Sequence, residues 1–338
     1  MTTWTPNLPR FPLLDGRSPF QPLPRFSAAL GDDAEIWVKR EDLLPIAFGG
    51  NKLRNLEFLI GAALAEGADA LVTSGRRWSN HCRLTAAAGA RAGLDVHLVL
   101  TGPPLDSPGP NQRLDELLGA TVHVTTTAER ADREALVAAV TDDLRTAGRR
   151  PYVIAVGGSG AVGGVGQVLA GLELADQARE RGVSPSAVVL PSATGGTQAG
   201  LLVGLELAGL RARVVGVTVA ATATELRPAV QILVRDLGSL TGCVVDAGSL
   251  EFDEGERGAG YGIATTEAHD ATRLLARSEG IVVDPIYTAK ALAGLIRGVR
   301  ERSLSGQIVF WHAGGTPALF EPLDGPDVAN PGRIARGA

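Results

Sequence analysis

Short apolar runs alternate along most of this sequence with longer segments whose apolar residues recur at helical spacing. ALVT (70–73), VHLVL (96–100) and AVVLP (187–191) are typical of buried strands, and each is followed by such a segment. This alternation predicts an α/β fold with parallel sheets that helices cover on both faces. Ligands of such folds bind beyond the carboxyl ends of the strands, in loops that enter the next helices.

Composition limits the class of protein. The chain has 338 residues, enough for two domains, with 45% hydrophobic and 20% charged residues, as in globular proteins. A net charge of −5 without a basic tract argues against nucleic acid, and no apolar run reaches the roughly 18 residues of a membrane span. The first residues lack signal-peptide features, and only Cys82 and Cys243 are present. We therefore expect a cytoplasmic protein without a disulfide scaffold.

A lysine opens one of the predicted helices. Lys52 follows two glycines and an asparagine in FGGNKLRNLEFLI (48–60), where Leu53, Leu56 and Ile60 recur at helical spacing. The helix dipole disfavours a cation at this end. On the residues alone, Lys52 is either a solvated surface amine or an amine whose ammonium form is disfavoured for a chemical reason.

Two glycine-rich loops follow predicted strands. SATGGTQAG (192–200) is either a phosphate cradle or an ordinary turn capped by Thr197, and it lacks the Gly-Lys-Ser/Thr of a P-loop. GGSGAVGGVG (157–166) has the dinucleotide spacing at Gly158, Gly160 and Gly163. The next strand lacks the acidic residue that would hold a ribose, which favours a structural loop over an NAD-dependent oxidoreductase.

A few polar residues stand out in predicted turns. Ser79 or Asn80 is a suitable N-cap for the helix that follows, and His81 is either a structural or a site residue. Tyr261 and Tyr287 lie in glycine- or proline-containing turns, which favours presentation of their hydroxyls. The five histidines show no metal-ligand spacing, so we predict no metal site.

Several segments together resemble one family of pyridoxal-phosphate enzymes, over residues 9–320. They include VKREDLLP, GGNKLRNLEFL, SNHCRLTAAAGARAGL, SATGGTQAGLLVGL, GAGYGIA, EGIVVDPIYTAKALAGL and HAGGTPALF. This set resembles the D-cysteine desulfhydrase and 1-aminocyclopropane-1-carboxylate (ACC) deaminase family, whose architecture is tryptophan-synthase-β-like, fold type II. The resemblance implies a homodimer with a large domain of residues 1–52 and 166–338 and a small domain of residues 53–165.

The resemblance also implies site roles. Lys52 would form the Schiff base with the cofactor aldehyde, for which a disfavoured ammonium form is useful. Catalytic roles would fall to Lys52, Ser79, Tyr261 and Tyr287. The cofactor would be held by Lys52, Asn80, Thr194, Gly195, Gly196, Thr197 and Thr288, with its phosphate at the 194–197 turn. The substrate would meet Trp78, Ser79, Asn80, His81 and Tyr287.

Two positions separate the branches of this family. The deaminases are expected to carry Gln at the position of His81 and Glu at that of Thr288, so both residues resemble the desulfhydrase branch. Arg76, Arg77 and Trp78 depart from both branches, and they either reshape the pocket or attract an extra anionic group, or else point away into packing or solvent. Ala313 replaces an expected hydroxyl near the cofactor, a loss that Thr288 or water would have to compensate.

The expected reaction is α,β-elimination from a small amino acid, with D-cysteine as the first candidate. The alternatives are ACC deamination, sulfite elimination from cysteate (which Arg76 and Arg77 would suit), a specialised biosynthetic step and a non-catalytic cofactor-binding protein.

Overall fold

The structure is a computed structural model that describes residues 4–31, 33–102, 106–126 and 129–321, with residues 325–326 and 334–335. Its strands are β1 (Phe20–Pro22), β2 (Ala34–Arg40), β3 (Ala70–Arg76), β4 (Asp95–Thr101), β5 (Thr121–Thr125), β6 (Pro151–Val153), β7 (Ala187–Ser192), β8 (Arg213–Thr218), β9 (Leu250–Asp253), β10 (Gly306–His312), β11 (Gly325–Pro326) and β12 (Ile334–Ala335).

The helices connect and cover these strands. They are α1 (Pro24–Leu30), α2 (Lys52–Ala65), α3 (Asn80–Ala92), α4 (Pro110–Leu117), α5 (Arg130–Thr146), α6 (Ala161–Glu180), α7 (Gly196–Leu207), α8 (Ala223–Thr241), α9 (Thr266–Glu279) and α10 (Thr288–Arg300). Short 3₁₀ turns lie at Glu41–Leu43, Val156–Gly158, Ala247–Ser249 and Thr316–Phe320. None of the described helices combines the length and apolarity needed to cross a membrane.

Two mostly parallel sheets organise the chain, which confirms the predicted α/β class. The larger sheet has the order β1-β2-β10-β7-β8-β9, and only the β1–β2 pair in it is antiparallel. The smaller sheet has the order β5-β4-β3-β6 and is parallel throughout. Its four strands all come from within residues 53–165, although the predicted domain boundaries themselves stay a prediction.

Three elements differ from the sequence-based prediction. The segment between β8 and α9, for which no element is predicted above, contains α8, a helix of 19 residues with Pro228 inside it. Thr222 and Glu225 form a capping box that starts this helix, which offsets part of the cost of the proline. The proline-rich start of the chain likewise contains β1 and α1.

The second glycine-rich loop is shorter than predicted, because α6 begins at Ala161 inside it. A Cβ at Gly166 would lie 1.9 Å from the Arg54 carbonyl oxygen, so a glycine is required for α6 to approach α2. A Cβ at Gly163 would lie 2.4 Å from the Gly158 carbonyl oxygen. These glycines therefore serve close backbone packing, as the structural interpretation of the loop predicts.

A buried ionic cluster ties β2, α2 and α6 together. The Arg54 guanidinium donates to Glu41 at 2.6 Å and to Glu173 at 2.9 Å, and Lys39 also pairs with Glu173. Lys39, Glu41 and Arg54 are almost fully shielded from solvent. The cluster joins the start of the chain to the helices behind the candidate site.

Candidate active site

A cavity of about 340 Å³ lies at the carboxyl ends of β3 in the smaller sheet and of β7 and β10 in the larger one. This is the position that the strand–loop–helix pattern predicts. All the predicted site residues except Trp78 and Thr288 line this cavity: Lys52, Ser79, Asn80, His81, Thr194, Gly195, Gly196, Thr197, Tyr261 and Tyr287.

Three helices begin at the cavity wall. The first residues of α2, α3 and α7 are Lys52, Asn80 and Gly196, and all three line the cavity. The first N–H groups of a helix have no partner within it, and the helix dipole makes this end positive. The cavity is therefore suited to anionic ligands.

The turn before α2 holds Lys52 in place. Ala47, Phe48, Gly49 and Gly50 all have positive φ, and a Cβ at Gly49 would lie 2.2 Å from the Asp42 carbonyl oxygen. Burial lowers the pKa of Lys52 to about 8, and within the described chain no acidic side chain lines the cavity to restore it. At pH 7, roughly a tenth of amines with this pKa are in the neutral form.

The 194–197 turn has the geometry of an anion cradle. Gly195 is the N-cap of α7 with φ 75°, and a Cβ there would lie 2.1 Å from Val230 Cγ2. The Asn51 side chain donates to Thr197 Oγ1 at 2.8 Å, and the hydroxyls of Thr194 and Ser159 are 2.6 Å apart. The first bond connects the turn to the residue that precedes Lys52, and the second connects it to the loop before α6.

Ser79 is the N-cap of α3, since its hydroxyl accepts a hydrogen bond from the Cys82 backbone N–H at 3.2 Å. Arg83, one turn along the helix, donates to Asn80 Oδ1 at 3.2 Å and to the Gly49 carbonyl at 3.3 Å. The Asn80 amide is thus fixed with its oxygen toward Arg83, which leaves its N–H groups as donors for a ligand.

The hydrogen bonds of His81 define its tautomer. Thr73 Oγ1 donates to the Ile154 carbonyl at 2.8 Å, so it accepts from His81 Nε2, 3.0 Å away. Burial, with a contribution from the Lys52 charge, lowers the pKa of His81 to about 3. The imidazole is therefore neutral, with an unprotonated Nδ1 that has no partner within the described chain.

Tyr261 and Tyr287 meet at the cavity wall. Their hydroxyls are hydrogen-bonded to each other, and their ring centroids are 5.9 Å apart. Trp78 stands behind Tyr261 at a centroid distance of 6.1 Å, so it shapes the wall without lining the cavity. Burial raises the pKa of both phenols, which keeps them protonated as hydrogen-bond donors.

Thr288 lies at the start of α10 but does not line the cavity. Its hydroxyl donates to Asp284 Oδ1 at 2.5 Å. Asp284 also accepts from the backbone N–H groups of Ile286, Tyr287 and Thr288 at 2.8–3.0 Å. In the structure Thr288 thus has a local partner, and its predicted contact with a cofactor stays a prediction.

The pyridoxal-phosphate dependent enzyme family matches residues 12–314 of this chain. The chain belongs to this family. A crystal structure of an ACC deaminase homologue is 34% identical, with 93% of this chain and 94% of that one covered and a TM-score of 0.87. The T.th. threonine deaminase is 23% identical over 89% of this chain and 92% of its own, with a TM-score of 0.65. A pyridoxal 5'-phosphate-dependent aspartate racemase (16% identity, 88% and 90% covered, TM-score 0.64) shares the fold.

These findings confirm fold type II and pyridoxal 5'-phosphate as the cofactor of this enzyme, and the residues present fit that group. An amine of lowered pKa lies in the same cavity as a helix N-terminus whose cradle excludes a Cβ at Gly195. The oriented Asn80 amide supplies a donor between them in the wall. Lys52 would hold the aldehyde carbon, the 194–197 turn the phosphate and Asn80 the ring oxygen.

Three residues of the site lay outside the sequence-based prediction. Arg133, from the first turn of α5, lines the cavity; Arg83 orients Asn80; and Asp284 organises the turn that carries Tyr287. Asp284 precedes Pro285 in DPIY, a turn signal that could have indicated it. Arg133 has no local signal, because only the tertiary fold brings α5 to the cavity. Of the departures noted above, Arg76 and Ala313 line the cavity, whereas Arg77 does not.

Proposed function

We propose that this enzyme eliminates a β-substituent from a small amino acid and that D-cysteine is the first substrate to test. D-cysteine and water would give pyruvate, hydrogen sulfide and ammonia. The observation that carries the proposal is the Lys52 amine, whose pKa is lowered to about 8 in a cavity that holds the other predicted catalytic side chains. A neutral amine here can accept the α-proton of a substrate.

The bound cofactor supplies an electron sink that stabilises negative charge at the substrate's α-carbon. Lys52 takes the α-proton, and the β-substituent leaves with the electron pair of its bond to carbon. The N-terminus of α3, with Ser79 and Asn80, binds the substrate carboxylate. One of the paired hydroxyls of Tyr261 and Tyr287 donates to the other, and the second donates a hydrogen bond to the substrate or to the departing group.

The wall near α10 supports elimination over reactions that need a longer-lived carbanion. Thr288 and Ala313 occupy positions where the family resemblance expects a carboxylate or a hydroxyl near the cofactor ring. Neither side chain can itself hold a proton on the ring nitrogen, which weakens the electron sink. A substrate with a good leaving group suits such a site.

The experiment has two readouts on the purified holoenzyme. Borohydride should fix the cofactor to Lys52, as peptide mapping would show, and D-cysteine should give sulfide and pyruvate in equal amounts. K52A should lose both. Fixation without turnover of D-cysteine, alongside turnover of another amino acid, would reject the substrate and keep the reaction class.

ACC deamination is the second candidate, favoured by the 34% identity to the ACC deaminase homologue. Formation of 2-oxobutyrate from ACC would establish it. His81 and Thr288 favour elimination from D-cysteine, since both resemble the desulfhydrase branch. By the family resemblance we infer a homodimer, which light scattering on the purified protein would test. The cytoplasmic location inferred from the sequence stays part of the proposal.

A further inference from the structure

The charged side chains that line the cavity all have the same sign. They are Lys52, Arg76 and Arg133, and within the described chain no aspartate or glutamate joins them. Arg76 ends β3, and Arg133 lies in the first turn of α5, so both come from the side of the smaller sheet.

Neither arginine has a counter-ion within the described chain. Arg133 Nε is buried without a hydrogen-bond partner, and no described side chain forms an ion pair or hydrogen bond with the Arg76 or Arg133 guanidinium. Arg130, three residues earlier in the same turn of α5, shows the contrast, since it pairs with Glu134 at 2.6 Å on the surface. Both arginines are partly buried in the cavity wall, and the unpaired Nε of Arg133 is a buried donor that a ligand in the cavity would satisfy.

Both arginines lie near residues of the proposed reaction site. Arg76 is near enough to Tyr261 for its charge to act on the pKa of that phenol, and Arg133 acts likewise on the Cys82 thiol in the first turn of α3. Ser79, the N-cap of α3, lies between Arg76 and Cys82 in the chain. An anion bound by these arginines would therefore lie in the same cavity as Tyr261 and the N-terminus of α3.

The other anionic groups already have separate sites. The cofactor phosphate is matched by the N-terminus of α7, and the substrate carboxylate by the N-terminus of α3. Arg76 and Arg133 are therefore left to bind a further negatively charged group. Their planar guanidinium groups are suited to bidentate bonds with a carboxylate, sulfonate or phosphate.

We propose that Arg76 and Arg133 form a subsite for an anionic side chain, so that among amino acids that fit the cavity those with a second acidic group bind more tightly than neutral ones such as D-cysteine. This inference rests on the proposed function, because it narrows the β-substituent of the same reaction. Arg77 takes no part in the subsite, since it does not line the cavity.

The test is a binding titration of the holoenzyme, in which the shift of its visible absorbance band reports binding. Each acidic amino acid is matched with a neutral one of similar shape: aspartate with asparagine, and O-phosphoserine with serine, in both enantiomers. The acidic member of at least one pair should bind more tightly by roughly tenfold to a hundredfold, as a charge-assisted hydrogen bond provides.

Variants R76Q and R133Q locate the effect, with R130Q as the matched control. Each cavity variant should remove the preference for the acidic member while the neutral member binds as before, and R130Q should keep the preference. Equal weakening of both members would assign the arginines to the α-carboxylate and overturn the subsite. Equal binding of both members in the wild type would also overturn it.

The same samples, assayed with D-cysteine, separate this inference from the proposed function. Turnover of D-cysteine without any acidic preference would reject the subsite and keep the elimination. An acidic preference without elimination from any member would keep the subsite and reject the reaction.

Discussion

Lys52 combines two properties that rarely occur together in a lysine. It lies at the positive end of α2, and burial lowers its pKa to about 8 without an acidic side chain in the described cavity wall. An amine with the ordinary pKa of about 10.4 would be neutral only once in a few thousand molecules at pH 7. The fold therefore raises the reactive fraction by roughly two orders of magnitude.

This pKa predicts how the apoenzyme takes up its cofactor. Because only the neutral amine attacks the aldehyde, the rate of covalent attachment should rise with pH up to about 8 and level off above it. Stopped-flow absorbance at fixed cofactor concentration measures this rate. A rate that continues to rise toward pH 10 would contradict the lowered pKa of Lys52.

Asp284 is a second residue on which the site depends. D284A would leave three buried N–H groups, those of Ile286, Tyr287 and Thr288, without their acceptor. At about 1–3 kcal/mol for each unsatisfied buried group, we expect a loss of at least about 3 kcal/mol in the free energy of unfolding. Urea unfolding measures this loss. The control is D236A, which removes an ion pair with Arg235 and should change the free energy of unfolding by less than about 0.5 kcal/mol.

At the scale of elements, the turn between β7 and α7 is the most constrained. G195A adds a Cβ that would lie 2.1 Å from Val230 Cγ2, at φ 75°. G209A adds one at φ 67° in open space, so it shares the backbone strain without the clash.

We therefore expect G195A to lose cofactor affinity by at least tenfold, whereas G209A loses only about 1 kcal/mol of stability. Cofactor titration monitored by visible absorbance gives the cofactor affinities, and urea unfolding gives the stabilities. Equal cofactor affinities in the two variants would show that the turn does not hold the cofactor.

The elements that sequence reasoning found are those with a clear local pattern. Buried strands such as β3 and β7 and the helices after them follow from apolar runs and period alone. The local pattern does not predict α8 because Pro228 normally ends a helix, whereas in the structure the capping box of Thr222 and Glu225 stabilises its start. The start of α6 was missed because its glycines, which match a loop locally, are required by the packing of α2.

Some residues of the site could likewise be predicted from the sequence, and others could not. The predicted side chains at helix starts, such as Lys52 and Asn80, are brought together because parallel strands place those starts at one edge. Arg133 could not be predicted, since its approach depends on how α5 packs across the smaller sheet.

At the scale of the whole molecule, a substitution in the ionic cluster around Arg54 tests what holds β2, α2 and α6 together. R54M leaves Glu41 and Glu173 buried beside Lys39 alone, so we expect a loss of about 3–5 kcal/mol in the free energy of unfolding. Tryptophan fluorescence during urea unfolding measures it.

The control for R54M is R179M, since Arg179 pairs with Asp176 on the surface and should contribute less than about 1 kcal/mol. A small effect of R54M would mean that apolar packing alone holds β2, α2 and α6 together.

The strand order has a consequence for synthesis on the ribosome. Every strand of the smaller sheet has been made once residue 153 is polymerised, so that sheet can assemble on the nascent chain. In the larger sheet, β2 pairs with β10, which ends at His312. The edge of β2 that pairs with β10 therefore waits for almost the entire polypeptide, and during that interval this unpaired edge is the part of the chain that a chaperone would need to protect.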